Sequence, residues 1–250
     1  MKTKIVEVGN AVLYHGDCFD ILPKLEMKFD AVITDPPYAQ TNCKWDKAIP
    51  LDSFWEMLDH KTKQTANFVM FACGMFTVDL INSKRDWCRY RLVWEKSKKC
   101  GHLNANLMPM RSHEDIILLG RPGFKTKTTY DPQKTPGGKV GVITRNHRSS
   151  VYRDCGEYIH TSDGFLHPSS VLYFESETGY HSTQKPLRLM EYLVQTYTRK
   201  NDIVLDCFMG SGTTGIAALN TGRKFIGIER EKKYFDIACE RIRKANEMRR

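Results

Sequence analysis

Thr34-Asp35-Pro36-Pro37-Tyr38 is a stretch whose residue types, in that order, could handle a nitrogen that carries protons. Two successive prolines fix the backbone and remove two N–H donors. The Asp35 carboxylate and the Pro36 carbonyl then become two acceptors held side by side, with Pro37 stiffening the turn behind them. An exocyclic NH2 has two hydrogens to donate. Two fixed acceptors would take both and turn the nitrogen lone pair out of conjugation, toward an incoming methyl. Tyr38 would stack on a base drawn out of its helix, as aromatic side chains do. Taken alone, the same residues also read as a rigid Pro-Pro turn at a strand end.

A second stretch, Asp202 to Thr214, reads as strand, glycine turn and helix start. Asp206 ends the strand, and Phe208, Gly210, Ser211, Gly212 and Thr213 form the turn. Glycines let a backbone pass close to a ligand, and the following helix start offers unpaired N–H groups. The next strand ends in Glu229, an acid about 20 positions beyond the glycines and placed to accept from ribose hydroxyls. A lone Gly-x-Gly also reads as a tight βα turn. This one lacks the third glycine of a dinucleotide fingerprint and the Gly-Lys-Ser/Thr of a phosphate loop, so a nucleoside cofactor without a phosphate chain fits it better.

Both stretches need a sheet to hold them. Apolar runs predict strands at Ala11–Tyr14, Phe29–Ile33, Asn67–Ala72, Arg89–Trp94, Asp115–Leu119, Ile203–Leu205 and Lys224–Ile228. Helical spacing predicts helices at Cys18–Leu25, Asp52–Lys61, Gly74–Lys84, Leu187–Thr198, Thr213–Asn220 and Lys232–Met248. The alternation implies an α/β fold with a largely parallel sheet, in a single domain over residues 1–250. Residues 121–179, rich in Gly, Pro, Ser, Thr, Lys and Arg, read as an irregular insertion into that domain: a mobile segment, a recognition module or a long surface loop.

Composition sets the wider bounds. The chain has 250 residues, and 38 basic against 29 acidic side chains give it a net charge of +9, which suits a polyanion. Its eight cysteines include no CxxC pair, and the histidines show no metal spacing, so no metal is expected. No apolar signal core follows Met1-Lys-Thr-Lys-Ile5, and Phe68 to Phe76 is too short to span a bilayer. These features point to free thiols in a reducing cytoplasm, with no membrane partner. Lys232 to Arg250 reads as a solvated amphipathic helix.

With these motifs in order, the sequence resembles the amino-methyltransferases that modify DNA, in their β-type motif order. That family carries Asp-Pro-Pro-Tyr early, Phe-x-Gly-x-Gly-Thr late, and target recognition between. Here Asp35 to Tyr38 comes first and Phe208 to Thr214 last, and His181-Ser-Thr-Gln-Lys-Pro186 resembles the family's His-x-Thr-Gln-Lys-Pro. Trp45-Asp46, Trp94-Glu-Lys96 and Arg111-Ser-His-Glu114 match secondary motifs.

The resemblance implies a Rossmann-like methyltransferase sheet in circularly permuted order, with S-adenosylmethionine as cofactor. Asp206, Phe208, Gly210, Ser211, Gly212 and Thr213 would line its pocket and Glu229 would hold its ribose. Asp17 would meet its adenine. Thr183 and Lys185 would lie near its methionine end, where the Lys185 charge could pair with the carboxylate. It also implies double-stranded DNA as partner, a homodimer, and adenine N6 as the methylated atom. Lys125, Lys127, Arg145, Arg148 and Arg153 are the candidate DNA contacts.

Other chemistries compete less well. Cytosine C5 methylation uses a thiolate, usually after proline, and none of the eight cysteines follows one. Cytosine N4 methylation shares the geometry but usually has Ser in place of Asp35. The RNA and protein branches generally have Asn there. A non-catalytic DNA-binding relative would not need Asp35 and the glycine turn intact. His113-Glu114 reads as structural.

Overall fold

The apolar runs become strands and the helical stripes become helices. The structure, a computed structural model, describes residues 3–39, 46–124, 127–147, 156–180 and 184–249, with the backbone alone for 143–147, 156–158 and 160. In chain order the first half holds β1 (Lys4–Val8), β2 (Ala11–His15), α1 (Cys18–Ile21), β3 (Phe29–Thr34), α2 (Leu51–Lys61), β4 (Thr62–Ala72), α3 (Met75–Ser83), β5 (Cys88–Cys100) and β6 (Arg111–Leu119). The second half holds β7 (Thr135–His147), β8 (Gly156–Leu166), β9 (Val171–Phe174), α4 (Leu187–Tyr197), β10 (Ile203–Asp206), α5 (Thr213–Asn220), β11 (Lys224–Glu229) and α6 (Lys232–Glu247).

By contacts the chain divides into two units, residues 1–131 with 170–250, and residues 132–169. In the larger unit nine strands form one sheet in the order β1-β2-β11-β10-β3-β4-β6-β5-β9. The centre, from β2 through β11, β10 and β3 to β4, is parallel. Strands β3 and β10 are neighbours, with Ala31 opposite Val204 and Val32 opposite Leu205. Their carboxyl ends, Thr34 and Asp206, therefore open at the same sheet edge. The connections leave β10 and β3 in opposite directions, β10 toward β11 and β3 toward β4, so the sheet has a switch point where ligands characteristically bind.

Both sheet faces are covered, and the central strands are accordingly apolar without alternation. On one face Leu193, Val194, Ile216, Leu219, Phe235 and Ile242 of α4, α5 and α6 pack on Ala31, Ile33, Val69, Phe71 and Val204. On the other, Ile21, Phe54, Trp55, Leu58, Phe76 and Leu80 of α1, α2 and α3 pack on Val32, Phe68, Met70, Leu205 and Ile226. The stripe expected on Leu187–Thr198 is the buried side of α4, and α6 is amphipathic with Phe235, Ala238, Cys239, Ile242 and Ala245 inside.

The stretch 121–179 is more regular than its composition suggests. Strands β7 and β8 pair as an antiparallel ribbon that makes up the smaller unit, and β9 joins the main sheet beside β5. The ribbon gave no apolar stripe to read because Val140, Val142 and Ile159 are all exposed. Its strands are built from β-favouring Val, Ile, Thr and Tyr. Strand β1, with burial alternating weakly at the sheet edge, also went unread.

Candidate active site

Thr34 and Asp206 tie the two motif strands together. The Thr34 hydroxyl donates to Asp206 Oδ1 over 2.6 Å, and Thr214 on α5 donates to Oδ2 over 2.6 Å. Phe208 N donates to Oδ1 as well, at 3.1 Å. Asp206 is 2% exposed, and burial pushes its carboxyl up to about 6 against the pull of these three donors. Beside it opens a cavity of about 390 Å³, of the size small-molecule sites have.

One part of the cavity is built around the glycine turn. Gly210 and Gly212 take positive φ values of 51° and 80°, which glycine alone adopts without strain. Glu229, at the tip of β11, accepts from Gly210 N at 2.9 Å on Oε2 and from Glu231 N at 2.7 Å on Oε1. Burial pushes its carboxyl up to about 7. Each oxygen keeps one further acceptor position. Asp17 caps α1 through Phe19 N at 3.0 Å and lies 3.8 Å from the Arg230 guanidinium. Gly16 N donates to the Glu229 carbonyl at 2.9 Å, which joins the tips of β2 and β11. Asp17, Phe208, Ser211 and Thr213 line the cavity with Glu229 and Gly210. Gly212 does not line it. A Cβ there would stand 2.9 Å from that of Ala238, so this glycine lets α5 start against α6.

The other part holds Asp35 through Tyr38. The Tyr38 hydroxyl donates to Asp35 Oδ1, and the Tyr38 ring stacks on Phe76 with centroids 5.2 Å apart. Lys185 donates to Asp35 Oδ2 and lies 3.2 Å from Glu114 Oε2. Glu114 Oε1 in turn takes a bond from Lys96 at 2.9 Å. Two ammoniums and two carboxylates thus alternate along one chain of contacts, with Lys185 only 7% exposed. Burial raises Asp35 above the ordinary aspartate range, opposed by the Lys185 ammonium and reinforced by Glu114. The two lysines hold Glu114 below the ordinary range despite its burial. Tyr38 is pushed well up by burial and by Asp35, so it stays a donor.

Lys185 lines the cavity. Its ammonium is engaged by Asp35 and Glu114, which takes two of its three N–H donors. Glu114, which reads as structural in sequence, lines the cavity. The signal for it was strand alternation: Glu114, Ile116 and Leu118 share a face of β6. Arg241 on α6 also escaped the sequence reading. It donates to the Ser211 carbonyl at 2.6 Å, to Ser211 Oγ at 2.9 Å and to Thr213 Oγ1 at 3.1 Å, and so braces the glycine turn from behind.

Thr183, Lys125, Arg148, Arg153 and Trp45 lie outside the described residues, as does the side chain of Arg145, whose backbone pairs with Tyr158 in the ribbon. Lys127 is exposed, its ammonium 5.8 Å from the Phe124 ring centroid.

The residues present fit a nucleoside carrying an amino-acid tail. Glu229 offers two open acceptor positions to a diol. Gln184 Oε1, on the cavity wall, is buried without a hydrogen-bond partner among the described residues. Its amide nitrogen donates to Glu177 at 3.2 Å, which leaves the oxygen for a donor such as an ammonium.

The chain is similar to known proteins over nearly its whole length. The profile of the N6/N4 DNA methylases, described as DNA methylase, matches residues 29–240. The type II methyltransferase M2.DpnII of Streptococcus pneumoniae is 48% identical over 94% of this chain and 91% of its own. M2.LlaDCHI of Lactococcus lactis subsp. cremoris is 27% identical over 98% and 93%. Among solved structures, the M1.HpyAVI–SAM complex superposes with a TM-score of 0.63 at 28% identity, covering 92% of this chain and 98% of that one. The cytosine-N4-specific PvuII DNA methyltransferase shares the fold, with a TM-score of 0.67 at 18% identity over 96% and 92%.

Proposed function

The chain belongs to the N6/N4 DNA methylase family, and on that premise we propose that it methylates adenine N6 within a specific sequence of duplex DNA. S-adenosylmethionine is the cofactor; when bound, it supplies a methyl group already activated by its sulfonium. Glu229 would accept from the ribose hydroxyls, Gln184 from the amino group of the methionine end, and Asp17 would face the adenine. Arg241 keeps the glycine turn in shape for them.

The observation that carries the reading is Asp35 on the cavity wall, fixed by Tyr38 and Lys185, beside the glycine turn. A target base flipped out of the duplex would enter here. Asp35 and the Pro36 carbonyl would accept hydrogen bonds from the two amine hydrogens, which frees the nitrogen lone pair for in-line attack on the methyl, with a neutral thioether as leaving group. The nitrogen would lose its surplus proton to solvent by way of Asp35. Phe76 stacks on the Tyr38 ring, and Tyr38 lines the cavity that would receive the base. No covalent intermediate with the protein is needed, and positioning supplies much of the rate. An aspartate at this place, where cytosine-N4 enzymes usually carry serine, favours adenine. Residues 121–179 are the proposed source of sequence preference, within a single methyltransferase domain that works in the cytoplasm as a homodimer.

Transfer of labelled methyl to DNA, followed by digestion to nucleosides, tests this. N6-methyladenine is the expected product. N4-methylcytosine would correct the base and keep the rest, and no DNA product over varied sequences would refute the reading.

A further inference from the structure

The connection between β5 and β6, residues 101–110, is an exposed loop at the edge of the sheet where the cavity opens. Strand β6 is antiparallel to β4, so its start, Arg111, lies at the end of the sheet where β4 finishes. Arg111 Nη1 reaches Cys73 Sγ, just past β4, at 2.7 Å. Three residues on, Glu114 lines the cavity. At the loop's other end Lys96 holds Glu114, and its ammonium lies 3.5 Å from Cys100 Sγ. The loop is thus anchored on both sides to the wall that carries the ion chain of Asp35.

Its composition is unusual for a surface loop. Residues 101–109 are all exposed, and Leu103, Leu107 and Met108 are 100%, 82% and 58% open. A single exposed leucine means little, but three large apolar side chains within six residues call for a partner. The backbone is folded: Gly101 takes a φ of 95°, Asn104 N bonds to the Gly101 carbonyl, and Leu107 and Met108 bond back to Asn104. No acid occurs between Glu95 and Glu114, whereas Lys96, Lys98, Lys99 and Arg111 do. An apolar tip on a purely basic stem suits a surface that is anionic outside and apolar within. A nucleic acid duplex opened at one step has that character, with phosphates flanking exposed base faces.

We infer that residues 101–110 form a wedge, with Leu103 and Leu107 entering the base stack to fill the space left by the flipped base. This rests on the proposed DNA methylation. Lys98 and Lys99 would meet the flanking phosphates. Filling the gap offsets the unstacking that flipping costs.

Leu103→Ala and Leu107→Ala, singly and together, test the inference, since removing exposed side chains leaves the core intact. The substrates are two duplexes of the mapped target sequence, one fully paired and one with an abasic site opposite the target base. On the paired duplex the double variant should lose about tenfold or more in kcat/KM. A fluorescent analogue at the target position should show less extruded base. The abasic duplex, whose target is already loose, should restore most of the rate. Affinity for S-adenosylmethionine should stay at the wild-type value. No loss on the paired duplex, or an equal loss on both, would overturn the wedge, as would a loss explained by a change in oligomeric state. Wild-type protein that methylates no DNA would instead refute the proposed function.

Discussion

Glu229 makes cofactor binding depend on pH, and the direction follows from its surroundings. Burial lifts its carboxyl to about 7 from an ordinary 4.5, while two backbone N–H groups use only half of its acceptor positions. Ribose hydroxyls donating to the other half would favour the ionised form. Binding then expels a proton wherever free protein holds one, so affinity rises as pH climbs from about 5 to about 7 and levels off above. A complete return to the ordinary value is worth about 3 kcal/mol, on the order of a few hundred-fold in Kd across the window. The ligand-free protein behaves oppositely. Between 4.5 and about 7 its folded state binds more protons than the unfolded chain, so Glu229 makes stability fall as pH rises through that range and not beyond it. Calorimetric titration of S-adenosylmethionine from pH 5 to 8, in two buffers of different ionisation enthalpy, measures both the slope and the proton released. Glu229→Gln should weaken binding at pH 8 and flatten the slope. A wild-type affinity independent of pH refutes the reasoning. An unchanged slope in Glu229→Gln assigns the proton elsewhere, with Asp206, near 6, the first alternative.

Asp35→Ala should abolish methyl transfer while cofactor affinity, measured by the same titration, stays within about twofold. Lys185→Met leaves Asp35 and Glu114 buried together without their shared cation. It should cost about 3–5 kcal/mol in urea unfolding, and adding Glu114→Gln should recover part of the loss. Exchanging residues 132–169 for the equivalent ribbon of a relative with a different target should transfer sequence preference in a methylation-protection assay. Unchanged preference would remove the ribbon from recognition.

The parallel core was legible because its strands are buried on both faces and carry runs without alternation, as at Ala31–Ile33 and Phe225–Ile228. The glycine turn and Asp-Pro-Pro-Tyr were legible because each requires unusual backbone. What escaped lacked such constraints. Among the described side chains of the β7–β8 ribbon, Val140, Val142 and Ile159 are exposed, so no burial there imposes a period. The partners of Lys185 lie just past β3 and on β6, far away in sequence, and no local pattern announces an ion pair with Asp35 across 150 positions. Arg241 sits on a helix whose apolar stripe was plain, but its bond to Ser211 depends on how α6 lies against the turn.

The sheet order also constrains how the chain reaches its fold. Strands β10 and β11 lie between β2 and β3, so before residues 203–229 have been made the β1–β2 hairpin has no sheet neighbour linking it to β3. A nascent chain therefore carries β3 with one long apolar edge open until late in synthesis. Contacts of such sequence separation are slow to form and leave that edge exposed to association meanwhile. Incomplete chains should accordingly be clients of chaperones and proteases and not partly active enzymes. Methylation would begin only when the central strands close the sheet and bring Thr34 to Asp206.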